Sequence, residues 1–310
     1  MIIDTHMHLG DFLNDNGIRI LQERTEMPNK FNIQKFEEKI LHYNSNCITK
    51  AFFEKYDDYY TLSVINRIKA GNLKNYKHHR NTLAKKSEQL FGDRHVICFC
   101  MPISPYVTFK DVYKATRKIN SLRCFTSINP NISIDAACEE FEQDAPFCYG
   151  IKMHPIIQGI PFNSERVFAI LDINKRMGKP VLFHAGASRY YLGNQKYKQH
   201  CELDDIVAAE EMVKRYPDIP FIVGHGGIAE YREWAKALRK YDNIFFDLTV
   251  QSVRTIRELI SFYGEDKILF ATDWPCCDDT VTLNIAARAL SSTQLEKCMY
   301  LNASKLYNIY

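Results

Sequence analysis

KPVLFHAG (179–186), IPFIVGHGG (219–227), NIFFDLT (243–249) and KILFATDWP (267–275) decide the fold of this chain, because each is a short apolar run ending in polar or turn residues. Runs of this length, rich in β-branched, aromatic and aliphatic side chains, read as strands buried on both faces. Upstream, YGIKMHP (149–155), LRCFTSINP (122–130) and RHVICFCMP (94–102) repeat the pattern, and MIIDTHMHLG (1–10) brings the strands to eight. Between them lie amphipathic stretches: SERVFAILDINKRMG (164–178), with Gly178 placed to stop it, DDIVAAEEMVKRY (204–216) and IAEYREWAKALRKY (228–241). Eight strands alternating with helices predict an α/β fold, a (β/α)8 TIM barrel. An open doubly wound sheet is the alternative. Against it, no G-x-G-x-x-G follows the first strand, and polar residues end nearly every strand instead of gathering at one crevice.

A chain of 310 residues fits one such barrel over 1–310 as a single domain. The interval 11–92 is much longer than a βα connection and carries aromatic residues such as Phe52, Phe53, Tyr56, Tyr59 and Tyr60. It is read as a helical insertion with the first barrel helix within it. Because it leaves the C-terminal end of strand 1, it is expected to cap the barrel mouth, a dimer contact being the other reading.

The composition, 46% hydrophobic and 25% charged, is that of an ordinary globular protein. A formal charge of +3 gives no footprint for nucleic acid or an anionic membrane surface, so the basic run KNYKHHR (74–80) reads as a solvated, Lys-rich helix start. No apolar run approaches the ~20 residues of a membrane span. Nothing near Met1 reads as a signal peptide, and a cytoplasmic protein is expected. The ten cysteines include no C-x-x-C pair, and the adjacent Cys276 and Cys277 cannot easily converge on one tetrahedral ion. Free thiols are expected. A homodimer is the default oligomer.

The chemistry is carried by the strand ends. Those positions hold about a twelfth of the residues, so chance would place about one of ten histidines there. Five are found, His6, His8, His154, His184 and His225, and strand 8 ends with Asp273. In a parallel barrel the C-terminal strand ends converge on one axis, which gathers these residues into one site. His6 and His8, two apart on a strand, point to the same face and can reach a single ion. Imidazole and carboxylate ligands suit Zn²⁺ and also admit Mn²⁺, Fe²⁺, Co²⁺ or Ni²⁺. By the same alternation Asp4 is expected to point inward one layer below, with Lys152 on strand 4 as its first-ranked partner. The other readings of Lys152 are a contact to a substrate carboxylate and carboxylation to bridge two metals.

The series DTHMH, GIKMHP, FHAG, GHGG, FFDLT and FATDWP, closed by LNASKLY (301–307), resembles the amidohydrolase superfamily, specifically the amidohydrolase-related branch of aminocarboxymuconate-semialdehyde decarboxylase and related decarboxylases, hydratases and lactonases. The resemblance implies a divalent metal, foremost zinc, held by His6, His8, His184 and Asp273. It also implies His225 as the acid/base or polarising group, Asp273 as proton carrier, Lys152 and His154 on the substrate side, and Asn302 capping the final helix. A second ion bridged by carboxylated Lys152 is the lesser alternative.

The leading expectation is therefore a metal-dependent hydrolase that cleaves a C–N or C–O bond of a small polar substrate with metal-activated water. The alternatives are a metal-dependent, non-oxidative decarboxylase of an unsaturated or aromatic acid, and a catalytically silent metal-binding barrel. The expected partner is a small molecule such as a carboxylate, and not nucleic acid or membrane. In the loop 187–197, Arg189, Tyr190 and Tyr191 are placed to recognise a carboxylated or aromatic substrate.

Overall fold

The computed structural model describes residues 1–12, 63–64, 66–186, 200 and 202–309. Its parallel strands are β1 Ile2–Met7, β2 Val96–Cys100, β3 Leu122–Cys124, β4 Thr126–Ser127, β5 Ile151–Met153, β6 Val181–Phe183, β7 Phe221–Val223, β8 Ile244–Asp247 and β9 Ile268–Leu269. They ladder in chain order as β1-β2-β3 and β4-β5-β6-β7-β8-β9. β3 and β4 are halves of one strand broken at Phe125. Across the break the Phe125 N–H reaches the Cys100 carbonyl at 3.0 Å, and the Tyr149 N–H reaches the Cys124 carbonyl at 2.9 Å.

The last strand returns to the first. Thr5 N–H donates to Phe270 O at 3.0 Å, Asp273 N–H to His6 O at 2.7 Å and His8 N–H to Trp274 O at 2.7 Å. The eight strands read from the sequence thus form a (β/α)8 barrel, as expected.

Alternation along the strands sorts the side chains into two layers. Ile3, Ile97, Phe99, Phe125, Leu182, Ile222 and Leu269 fill the barrel interior. Tyr307 of the final helix, Asn302–Tyr307, closes the bottom by stacking on Phe99 at 4.2 Å. Outward residues such as Val181, Phe183, Phe221, Val223 and Phe246 meet Val167, Leu171, Met212, Trp234 and Leu259 of the surrounding helices. Each such side chain contributes about 1.5–3 kcal/mol by leaving water.

The expected helices form, trimmed by their caps. Ser164 accepts from Val167 N–H to start Glu165–Asn174, and Asp205 accepts from Val207 N–H to start Ile206–Arg215. The third, Tyr231–Leu238, begins three residues later than its pattern, because 225–228 take left-handed or otherwise non-helical angles. Asn302 is not an N-cap. The helix arrives already wound through Lys297–Leu301, and the Asn302 side chain donates instead to Glu265 O and Ile268 O, both at 2.8 Å.

The basic run lies in the helix Leu73–Phe91, capped by Asn72 and ended by Gly92 at φ 70°. Lys74, Lys77 and Arg80 are exposed there, as expected, but Tyr76 and His79 are buried. None of the eight described cysteines is in a disulfide. No described helix is long and apolar enough to cross a membrane. Most of the interval 11–92, including the five aromatic residues named above, lies outside the described residues, as do Arg189, Tyr190 and Tyr191.

Candidate active site

A bulge in β1 decides which side chains reach the barrel mouth. Asp4 pairs with Cys98 and Met7 with Cys100, so three steps along β1 match two along β2. The extra residue reverses the alternation. Asp4 faces the outer helices, whereas His6 and His8 beyond the bulge face the axis. Asp4 therefore does not share their face, and its partner is not Lys152. It accepts from Thr272 N–H at 2.9 Å and from Thr272 Oγ1 at 2.6 Å, and it pairs with His79 Nε2 at 3.2 Å. His79 Nδ1 reaches Asp279 at 2.8 Å.

At the mouth the two strand-1 histidines are oriented from behind. His8 Nδ1 lies 2.8 Å from the Met101 carbonyl, which only accepts, so this nitrogen carries the proton. His6 Nδ1 likewise donates to Asp247 Oδ2 at 2.9 Å. Both Nε2 atoms then present lone pairs, and these face each other at 3.2 Å. Asp273 Oδ1 completes the trio, 3.2 Å from His8 Nε2 and 3.5 Å from His6 Nε2. Three electron-rich atoms around one point repel unless a cation lies among them, so this donor set fits a divalent metal.

Lys152, fully buried on β5, places Nζ 2.8 Å from His6 Nε2 and supplies one positive charge at the edge. Burial brings its pKa down to about 8 against the pull of Asp273 and Asp247. Asp247, also fully buried, is pushed up to about 6 by desolvation.

His184 stands off from the trio. Its Nε2 lies 3.2 Å from the Gly186 carbonyl, and its Nδ1 is buried without a hydrogen-bond partner. The ring stacks on His154 at 4.0 Å and lies 4.9 Å from His225. His154 is held by its own helix start, its Nδ1 accepting from Ile157 N–H at 3.4 Å.

Burial and nearby positive charge favour the neutral form of His6, His154, His184 and His225. His184 is lowered to about 3 by desolvation and then by Lys152. His6 is lowered by burial and Lys152, and His225 and His154 by burial and His184. Neutral imidazole is the form that binds a metal.

His225 sits after β7 in the left-handed region, at φ 55°, and Asp273 does the same at φ 50°. Such backbone costs a non-glycine residue about 1 kcal/mol or more and persists only where neighbours impose it. Here Asp247 Oδ1 accepts the His225 N–H at 2.8 Å, and Gln251 Nε2 donates to the His225 carbonyl. Gly227 has to be glycine, because a Cβ would lie 2.6 Å from the Trp234 ring. His225 Nδ1 has no hydrogen-bond partner and lies 4.0 Å from Asp273 Oδ2.

The structure thus gathers His6, His8, Asp273, Lys152 and His225, with His154 and His184 beside them. Sequence reasoning missed Asp247 and Gln251. Asp247 carried the same signal as Asp273, an acid at the inward end of an apolar strand. Gln251 carried none.

Imidazoles and carboxylates at the C-terminal mouth of a (β/α)8 barrel define the class of protein. A family model described as amidohydrolase matches residues 105–309, and the chain belongs to that family. No curated protein sequence matches it. Among solved structures the chain is similar to an uncharacterized TIM-barrel protein from Bordetella bronchiseptica, with a TM-score of 0.67 and 14% identity over 99% of this chain and 98% of that one. It is also similar to 5-carboxyvanillate decarboxylase from Novosphingobium aromaticivorans with bound manganese, with a TM-score of 0.62 and 14% identity over 99% and 97%. A third similar structure is a probable 2-pyrone-4,6-dicarboxylic acid hydrolase from Acinetobacter baumannii, with a TM-score of 0.55 and 10% identity over 99% of both chains.

Proposed function

We propose that this chain is a metal-dependent, non-oxidative decarboxylase of a small unsaturated or aromatic carboxylic acid. The observation that carries the metal is the meeting of His6 Nε2, His8 Nε2 and Asp273 Oδ1 within 3.2–3.5 Å, with both imidazoles turned to present lone pairs. His184, with its unpartnered Nδ1, is the fourth ligand. The set suits one zinc or manganese ion, and the similar Novosphingobium decarboxylase holds manganese. A divalent ion here supplies Lewis acidity toward an oxygen of the substrate or of water.

With a divalent ion bound, the site would select an anionic substrate. Lys152 and a divalent cation together outweigh the carboxylates of Asp247 and Asp273 by one positive charge. A carboxylate balances it. Lys152 and His154 line the substrate side. In the reaction the bond from the ring or alkene carbon to the carboxylate breaks, CO2 departs, and the electron pair left on carbon takes a proton. Asp273 takes that proton up from solvent as the anionic substrate binds and delivers it to the carbon, and His225, whose Nδ1 lies 4.0 Å from Asp273 Oδ2, steadies the developing charge.

Hydrolysis of a C–N or C–O bond is the second reading. The pairing of Asp273 and His225 would serve water attack equally well, and a probable hydrolase is among the similar structures. The test is to load the protein with Mn²⁺ or Zn²⁺ and supply a panel of aromatic and unsaturated acids beside lactones, esters and amides. CO2 release lost in His225→Asn and Asp273→Asn supports the proposal. Cleavage of a lactone, ester or amide without CO2 transfers the assignment to a hydrolase, and no turnover at all leaves a silent metal-binding barrel.

A further inference from the structure

We propose that Asp247 is the positioning residue of this site, one carboxylate that selects the metal-binding tautomer of His6 and, together with Gln251, holds His225 in its left-handed backbone. The inference rests on the assignment of His6 as a metal ligand. It starts from the two oxygens of one fully buried side chain at the inward end of β8. Oδ2 accepts from His6 Nδ1 at 2.9 Å, so the His6 proton stays on the nitrogen that faces away from His8 and Asp273. Oδ1 accepts two backbone N–H groups, from His225 at 2.8 Å and Thr249 at 3.1 Å. Lys152 Nζ, 2.8 Å from His6 Nε2, independently marks that nitrogen as the acceptor.

The Oδ1 contacts couple the two functions. His225 is followed by Gly226, Gly227 and Ile228, all at positive φ, so the backbone leaves helical geometry through this turn. Asp247 grips its first N–H. Gln251, 2% exposed, grips its carbonyls, donating to His225 O and, at 3.3 Å, to Ile228 O. Asp247 is thus shared between the metal ligand and the charge-stabilising His225, while Gln251 serves the latter alone.

This division predicts that Asp247→Asn and Gln251→Leu fail in different ways. The two backbone N–H groups force the Asn carbonyl oxygen to take the Oδ1 position, because the opposite orientation sets an amide NH2 against two N–H donors. The NH2 then points at His6 Nδ1 and donates to it, and the His6 proton moves to Nε2, where no metal can bind. The His225 turn keeps its anchor. Gln251→Leu leaves His6 untouched but frees the His225 carbonyl.

The experiment titrates Mn²⁺ alone into the metal-stripped full chain by calorimetry and reads the His6 ring protons by nitrogen-correlated NMR. Asp247→Asn is expected to weaken Mn²⁺ binding about 10- to 100-fold, and the His6 proton is expected on Nδ1 in the wild type and Nε2 in the variant. Gln251→Leu is expected to bind Mn²⁺ as the wild type does while losing kcat that added metal does not restore. Wild-type Mn²⁺ affinity in Asp247→Asn, or a proton on Nε2 of His6 in the wild type, overturns the proposal. The wild-type NMR decides even where the variant fails to fold. A wild type that binds no Mn²⁺ overturns the metal assignment instead, with the tautomer still reporting on Asp247.

Discussion

Replacing His79 with glutamine tests the outer clasp of the barrel. His79 bridges Asp4 at 3.2 Å and Asp279 at 2.8 Å and stacks on Trp274 at a centroid distance of 5.1 Å. Burial alone would lower its pKa, but the hydrogen bonds to Asp279 and Asp4 outweigh it and hold the imidazole well above its usual value. A histidine whose pKa rises on folding contributes its full stability below the unfolded value, about 6.5, and loses it as pH climbs through the folded value.

In His79→Gln the carboxylate of Asp4, fully buried, keeps its Thr272 contacts but loses its cation. Breaking a buried pair costs about 3–5 kcal/mol, and the partial exposure of Asp279 favours the lower figure. At roughly 2.1 cal/mol/K per residue, 310 residues give an unfolding entropy of about 0.65 kcal/mol/K, so Tm falls by about 5 °C. Scanning calorimetry of both proteins from pH 6 to 9 measures this. The gap should be widest at pH 6 and narrow as pH rises. A gap below about 1 °C at pH 6, or one that widens with pH, refutes the reasoning.

Lys152→Met should raise KM for a carboxylate substrate roughly 10- to 100-fold, the loss of one charge-assisted hydrogen bond, as measured by initial rates at saturating metal. His225→Asn should lower kcat by about 10² to 10⁴ with Mn²⁺ affinity retained, separable by kinetics and calorimetry. Chelation should lower Tm by about 4 °C relative to protein held at a hundredfold excess of metal over Kd, since such binding stabilises by about 2.7 kcal/mol. Asn302→Leu strips hydrogen bonds from the Glu265 and Ile268 carbonyls and should cost about 2–3 kcal/mol in denaturant unfolding.

The barrel was legible because its signal is redundant: eight apolar runs, nearly all with a polar end, and a strand period that Lys152 on β5 and His154 one residue past its end both follow. His6, His8, His225 and Asp273 were legible for the same reason, since convergence on one axis follows from the topology. Asp4 was misread because alternation was carried straight through β1. A bulge adds one residue and flips every later side chain, and nothing in IIDTHM marks where it falls. His79 was hidden in a run that reads as solvated charge, because burial of one position in an exposed helix depends on what packs against it. Gln251 acts through a left-handed turn whose geometry is set by distant partners. Asp247 was visible as a residue but not as a link, since its two oxygens serve groups 241 and 22 positions away in sequence.

The most direct test of the metal-dependent site is anomalous diffraction from crystals grown with Mn²⁺. The account predicts one peak bounded by His6 Nε2, His8 Nε2 and Asp273 Oδ1, with His184 Nδ1 turned toward it. No peak there at full Mn²⁺ supplementation, or a peak that leaves His6 and His8 unligated, would contradict it.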